Sequence, residues 1–313
     1  MSNKVTIIGA GSVGSTIAYN MVVTGIASEI VLIDINAKKA EGEAMDILQG
    51  VPFCSPVSIY AGTYADAKGS DIVILTSGMP RKAGQSRLEL AQVNVDITKT
   101  IIPEIVKYAP EAVYIVVSNP IDILTYVFHK YSGLPSNQII GSGTTLDTAR
   151  LRSRLSETFN ISQQNVHAYV FGEHGDSSFV PWSIANISGI PINQYINCLP
   201  EGKRPVVDYA EIEEYTRKSG AKIIASKGAT FYAIAISVCH ICKCLLDGMD
   251  TTLTVSTMMH GEYGVSDVCL STLALVDNQG VRGKILNQLT DGEIDKLRAS
   301  AEKLKDVIRQ VEI

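Results

Sequence analysis

The chain has 313 residues, 46% of them hydrophobic and 19% charged, with a formal net charge of −5. That length supports two domains or one large one with an ample core. The acidic balance argues against a nucleic-acid or membrane-surface role, which needs a basic face. No stretch is apolar for long enough to span a bilayer. Met1-Ser2-Asn3-Lys4 runs directly into a strand pattern without a signal-peptide apolar segment, so a cytoplasmic location is expected.

In chain order, Val5–Ile8 is a short apolar run that ends in a glycine-rich turn. Ser12–Thr24 has helical spacing and stops at Gly25, Glu29–Ile33 is the next strand, and Ala37–Gln49 is helical. Asp71–Leu75 and Ala112–Val117 are further runs of buried-strand length. Strands alternating with helices predict a parallel sheet with right-handed crossovers. The pattern changes after residue 144. A helix over Thr145–Phe159 leads into Asn165–Phe171 and Phe179–Ile187. A long helical stretch, Tyr209–Leu246, follows, broken or bent near Gly220 and Gly228. Strand-like Leu253–Met259 and Val268–Val276 precede a charged amphipathic helix, Glu293–Val311. The expected division is a domain over residues 1–144 and an α+β domain over 145–313, tightly joined because no flexible linker separates them.

The six cysteines are irregularly spaced, which fits free thiols in a reducing compartment. Cys239-His240-Ile241-Cys242-Lys243-Cys244 has the look of a metal site, but its surroundings are apolar and helix-like and no second C-x-x-C follows. A buried helix with small sulfur side chains is the expectation, and no metal is assigned.

Gly9-Ala10-Gly11-Ser12-Val13-Gly14 is a G-x-G-x-x-G turn between a strand and a helix. Asp34 ends the next strand, twenty residues after Gly14. In that context Gly9 permits the turn, Gly11 lets backbone approach a pyrophosphate, and Gly14 lets helix and strand pack closely. The helix N-terminus offers free N–H groups to phosphate. Asp34 suits the adenosine ribose hydroxyls and would repel a 2′-phosphate, so NAD is expected over NADP. The fold class is therefore α/β, with a Rossmann-type doubly wound parallel sheet in the first domain.

Three further segments carry chemistry. Phe171-Gly172-Glu173-His174-Gly175-Asp176-Ser177-Ser178 presents one histidine among carboxylates. Met79–Arg87 is an arginine-rich loop, and Leu146-Asp147-Thr148-Ala149-Arg150 pairs an acid with a cation. An acid/base imidazole with a carboxylate partner, and cations for an anion, suit hydride transfer to a small keto acid. A rival pattern, Tyr126-Val127-Phe128-His129-Lys130, has the tyrosine–lysine spacing of short-chain dehydrogenases, but the serine expected thirteen residues upstream is Val113.

Across its length the chain resembles the lactate/malate dehydrogenase family. The shared motifs are G-A-G-S-V-G, V-L-I-D, G-x-x-R-x-x-G-x-S-R at 78–87, V-S-N-P at 117–120, G-S-G-T-T-L-D-T-A-R at 141–150, G-E-H-G-D at 172–176 and K-G-A-T at 227–230. The resemblance implies that His174 exchanges the proton with the substrate oxygen and that Asp147 holds its ring. It implies that Arg87 polarises the carbonyl, Arg150 grips the carboxylate, Asn119 contacts the substrate and Thr230 lines the pocket. Cofactor contacts are implied for Gly9, Gly11, Ser12, Val13, Gly14, Asp34, Thr76, Ser77, Gly78, Asn94, Val117 and Asn119. The family also implies a homo-oligomer, a tetramer before a dimer.

The family divides at one loop position, where lactate enzymes carry glutamine and malate enzymes arginine; here it is Arg81. An arginine closed over a methyl group would be a buried unpaired cation, whereas a second carboxylate would pair with it. That favours oxaloacetate/L-malate. The remaining motifs, Glu173 and Thr230 among them, are those of bacterial L-lactate dehydrogenases, so pyruvate/L-lactate stays open with Arg81 turned to solvent. Arg152 and His167 match the residues with which such enzymes bind fructose 1,6-bisphosphate, a possible effector. A non-catalytic NAD-binding protein is the reading from another class, and it would predict loss of His174, Arg87 or Arg150, all of which are present.

Overall fold

A computed structural model describes residues 3–80 and 86–313, and Arg81 lies outside them; of Arg87 only the backbone is described. The first half is built from β1 (Lys4–Ile8), α1 (Ser12–Thr24), β2 (Glu29–Ile33), α2 (Ala37–Gly50), β3 (Ser58–Ala61), β4 (Ile72–Leu75), α3 (Arg87–Tyr108), β5 (Val113–Val116), α4 (Ile121–Ser132) and β6 (Ile139–Gly141). The second half contributes α5 (Thr145–Phe159), β7 (Val166–His167), β8 (Asn186–Ile187), β9 (Ile190–Pro191), α6 (Ile192–Cys198), α7 (Tyr209–Lys227), α8 (Tyr232–Leu246), β10 (Thr251–His260), β11 (Ser266–Asp277), β12 (Gly280–Lys284) and α9 (Asp291–Gln310).

The six strands of the first half are parallel and lie in the order β3-β2-β1-β4-β5-β6, the doubly wound arrangement whose order reverses at β1 and β4. Their near-continuous apolar runs follow from burial on both faces. Side chains alternate between two cores: Val31, Val73 and Tyr114 enter one, while Ile30, Ile72 and Val113 enter the other. Local chemistry sets the helix ends. Gly25 closes α1 in the left-handed conformation, donating to the carbonyls of Met21 and Val22. Ser86 caps α3 in a reciprocal box with Glu89.

β10, β11 and β12 add antiparallel to β6, so one nine-stranded sheet runs through both halves. A second sheet of three short strands, β7-β8-β9, sits beside α5. The helical stretch from Tyr209 to Leu246 breaks at Gly228, as its sequence suggests, but the interruption expected at Gly220 needs correction. α7 runs unbroken through Gly220 and ends at Gly228, which is left-handed at φ 85°; α8 then starts afresh. Regular pairing is also shorter than the apolar runs 165–171 and 179–187 promise: apart from β7 and β8 there is only the Phe171–Phe179 bridge. Cys239, Cys242 and Cys244 are buried in α8 within the core shared with α1. Among the described residues no cluster of three or more metal-ligating side chains forms, and no helix is long and apolar enough to cross a membrane.

Candidate active site

The glycine turn lies at the C-terminal end of β1, against the equivalent ends of β2 and β4. Gly9 is at φ +107°, and a side chain there would strike Thr76 and Ser77. A Cβ on Gly14 would come within 1.9 Å of the Gly9 carbonyl, so close packing of α1 onto β1 requires glycine. Gly11, in contrast, faces open space, and no side chain caps the start of α1. The first N–H groups of α1 are thereby left for a ligand. Asp34, at the end of β2, accepts from the Ala10 amide at 2.7 Å and the Asn36 amide at 2.9 Å. An anion-receptive helix end beside a fixed carboxylate fits the two ends of an NAD adenosine diphosphate.

The ends of β4 and β5 extend this groove. Thr76 donates to the Gly9 carbonyl at 2.8 Å, and Ser118 donates to that of Ser77 at 2.5 Å. Asn94 of α3 binds both neighbouring loops. Its Oδ1 accepts from the Met79 amide at 2.8 Å, and its Nδ2 donates to the Asn119 carbonyl at 2.7 Å. Gly78 packs against that Asn94 side chain, and Val117 continues β5 by donating to Leu75. The Asn119–Pro120 peptide is cis.

His174 stands where this groove meets the second half. Its segment is clamped by paired backbone bonds between Phe171 and Phe179 and between Gly172 and Ser271 of β11. Gly172 sits at φ +93°, and a Cβ there would lie 2.8 Å from the Ser300 Oγ, so this approach admits only glycine. The His174 Nδ1 is 2.6 Å from Oδ2 of Asp147, on the first turn of α5. The other Asp147 oxygen accepts from Nη1 of Arg150 at 2.8 Å. Asp147 is buried, whereas the His174 side chain keeps 24% exposure. A carboxylate can only accept, so Nδ1 carries the proton and Nε2 is the atom left to exchange one.

The electrostatics follow. Burial opposes the charge on Asp147, but His174 and Arg150 beside it hold its carboxyl below the usual 3.8. Burial likewise opposes the His174 imidazolium, and Asp147 overrides it, so the ring titrates above 6.5. A second carboxylate that sequence reasoning missed also reaches this histidine. Asp122 of α4 accepts from the His174 amide at 2.7 Å and from Ser256 of β10 at 2.5 Å. The only sequence signal for it was its position three residues after Asn119.

The other expected residues are placed less centrally. Arg150 lies against the helix backbone at Gly220, 3.4 Å from where a Cβ would be. Thr230 is half-buried between α7 and α8. Arg152 donates to the Ala168 carbonyl, stacks on the Tyr169 ring and lines a cavity of about 540 Å³ with Gln163, Gln164 and His240. His167 is exposed on β7. Among the described residues no hydrogen bond joins Thr230, Arg152 or His167 to the His174 group. Tyr126 and Lys130 both bind Asp267, at the far end of α4 from Asp122.

The sheet order, the glycine cradle with Asp34 and the Asp147–His174 pair occur in a chain whose residues 3–141 match the lactate/malate dehydrogenase NAD-binding domain and whose residues 144–313 match the alpha/beta C-terminal domain of the same family. The chain belongs to the lactate/malate dehydrogenase family. It is an NAD-dependent dehydrogenase. Among its relatives is the L-lactate dehydrogenase of Acetivibrio thermocellus, 48% identical over 311 residues that cover 99% of this chain and 98% of the relative. Among solved structures, a lactate dehydrogenase from a Medee basin deep-sea metagenome library superposes with a TM-score of 0.95 at 38% identity, covering 99% of each chain. The minor L-lactate dehydrogenase of Enterococcus mundtii does so with a TM-score of 0.94 at 38% identity, covering 100% of this dehydrogenase and 99% of that chain.

Proposed function

We propose that this dehydrogenase is an L-lactate dehydrogenase, interconverting pyruvate and L-lactate. The observation that carries the reading is end-to-end similarity to proteins named L-lactate dehydrogenase, 48% identity in one case. The lactate-type residues Glu173 and Thr230 agree with it. The oxaloacetate reading favoured on Arg81 becomes the second one, and it rests on that single arginine, which lies outside the described residues.

Roles follow from the site. His174 gives a proton from Nε2 to the keto oxygen during reduction and takes it back during oxidation. Asp147 fixes the ring through Nδ1 and stabilises the imidazolium. Arg150 binds the substrate carboxylate with the guanidinium nitrogen not engaged by Asp147. Arg87 polarises the carbonyl, Asn119 contacts the substrate oxygen and Thr230 borders the C3 substituent. When bound, NAD(H) supplies or accepts the hydride at the substrate C2. Gly9, Gly11, Ser12, Val13 and Gly14 cradle its pyrophosphate and Asp34 its ribose. Thr76, Ser77, Gly78, Asn94, Val117 and Asn119 line the groove towards the nicotinamide.

A cytoplasmic homo-oligomer, a tetramer before a dimer, completes the reading. The exposed apolar side chains Tyr19, Val23, Met45, Leu48, Tyr232 and Ile236 on α1, α2 and α8 suit subunit contact. The deciding experiment follows NADH oxidation with pyruvate and with oxaloacetate side by side. A higher kcat/KM for pyruvate is expected, and a clear preference for oxaloacetate would transfer the assignment to malate.

A further inference from the structure

Asp122 is a carboxylate with 3% exposure, in a place where an ionised group is costly unless a partner compensates it. It has such partners from two directions. From β10, Ser256 donates to Oδ1 at 2.5 Å; from the histidine segment, the His174 amide donates to Oδ2 at 2.7 Å. The charge of His174 also acts on Asp122, and that of Asp122 on His174. Among the described residues the charged groups acting on the imidazole are therefore Asp147 and Arg150 from α5 and Asp122 from α4. Those acting on Asp122 are His174 and Glu173 from the histidine segment, while the buried Cys269 thiol of β11 also feels its charge.

A purely structural carboxylate would need only the two hydrogen bonds, which an amide oxygen and a neighbouring amide NH₂ could largely reproduce. What an amide cannot reproduce is the negative charge. Resting on the assignment of His174 as the proton-exchanging group, we infer that Asp122 is a positioning residue with a second task. It holds the His174 backbone in place, and its charge raises the proton affinity of the ring alongside the Asp147 hydrogen bond. The histidine thus answers to two carboxylates, one through its side chain and one through its main chain. Burial pushes Asp122 itself up to about 6, still below the imidazole, which is raised above 6.5, so the carboxylate is largely ionised while the ring changes protonation.

The test is Asp122→Asn, which keeps shape, accepts from the His174 amide through its one oxygen, turns Ser256 into the acceptor of its NH₂, and deletes charge. The His174 ring should be followed by NMR titration of the full-length protein, its signal identified by its loss in His174→Gln. In Asp122→Asn its pKa should fall by about one pH unit, the scale of one lost charged neighbour. With NADH and pyruvate, the alkaline limb of kcat/KM should move down by the same amount. The acidic limb of lactate oxidation should move with it, because one direction needs the ring protonated and the other needs it neutral. A change in packing alone would scale both rates without moving either limb. If Asp122→Asn does not fold, Ser256→Ala decides: losing that hydrogen bond raises the Asp122 pKa, so the limbs should move in the same direction by less. Limbs and NMR pKa both unmoved in the folded variant would overturn the inference. Near-normal turnover in His174→Gln would instead overturn the assignment of His174 on which it rests, and the NMR shift would still report whether Asp122 acts on the ring.

Discussion

The Ala10 amide donates to Oδ2 of Asp34 at 2.7 Å, so the glycine turn and the acid that closes β2 form one rigid unit. Asp34 is thereby held with its charge facing the mouth of the cradle. NADH should be preferred strongly over NADPH. Asp34→Ser should weaken NADH by about tenfold or more, the value of hydrogen bonds to a charged acceptor, while improving NADPH relative to it. Steady-state kinetics with both cofactors measure this, and equal kcat/KM in the unaltered enzyme would contradict it.

Replacing His174 by alanine should lower kcat by roughly 10²–10⁴-fold, the usual contribution of general acid–base catalysis, with NADH binding nearly intact. Stability should respond to pH with a definite sign. Folding raises the His174 pKa above 6.5, so its contribution is complete below that pH and is lost as pH climbs through the folded value. Folding lowers the Asp147 pKa below 3.8, so its contribution is complete above that pH and is lost as pH drops through the folded value. The Tm gap between the unaltered enzyme and His174→Ala should accordingly shrink at alkaline pH. Calorimetry from about pH 5 to 8, the range in which imidazoles ordinarily titrate, and above it reads this directly, and a widening gap would be the wrong sign.

Arg81→Gln bears on substrate choice. Removing a cation that could pair with a second carboxylate should lower oxaloacetate kcat/KM by about 10–1,000-fold, since the penalty falls on whichever ligand leaves a buried charge unpaired. Pyruvate turnover should hold or rise. Equal losses on both substrates would show that Arg81 does not discriminate between them.

Fructose 1,6-bisphosphate should lower the apparent KM for pyruvate if Arg152 and His167 form its site. Arg152 of α5 donates its Nε to the Ala168 carbonyl, one residue along the chain from His167 of β7. Arg152→Ala with His167→Ala should abolish activation and leave unactivated turnover in place. Calorimetry that finds no binding at millimolar concentration would dismiss the site, and binding without activation would mean that the coupling is missing.

Much of this was legible in the sequence because the relevant chemistry is local. The turn at Gly9–Gly14 and the acid at Asp34 lie within one βαβ unit, and Asp147 precedes Arg150 by a single helical turn. Asp122 was illegible for the opposite reason. Its partners His174 and Ser256 are 52 and 134 residues away, and nothing in α4 marks one buried acid as different from a helix-start acid. β6 escaped notice because three residues make too short a run, and β12 because Gly280-Val281-Arg282-Gly283-Lys284 carries a single large apolar residue and so shows no apolar run. Gly220 suggested a bend by composition, but α7 runs through it unbroken, with the Arg150 guanidinium packed beside it.

The meeting of β6 with β10 has an evolutionary side. Gly141 pairs with Ser256, and a Cβ at Gly141 would fall 2.5 Å from the Thr125 Oγ1 and 2.9 Å from the Ser256 Cβ. Severing the polypeptide just after Gly141 would strip β6 of its neighbour and expose an apolar strand edge, the usual starting point for aggregation. The same seam carries Ser256, which serves Asp122, so whatever is exchanged across it also reaches the histidine. Recombining the front half of one relative with the back half of another should succeed only when Thr125, Gly141 and Ser256 travel as a matched set. Inheritance across this join is therefore a constraint on the chemistry and not only on the architecture.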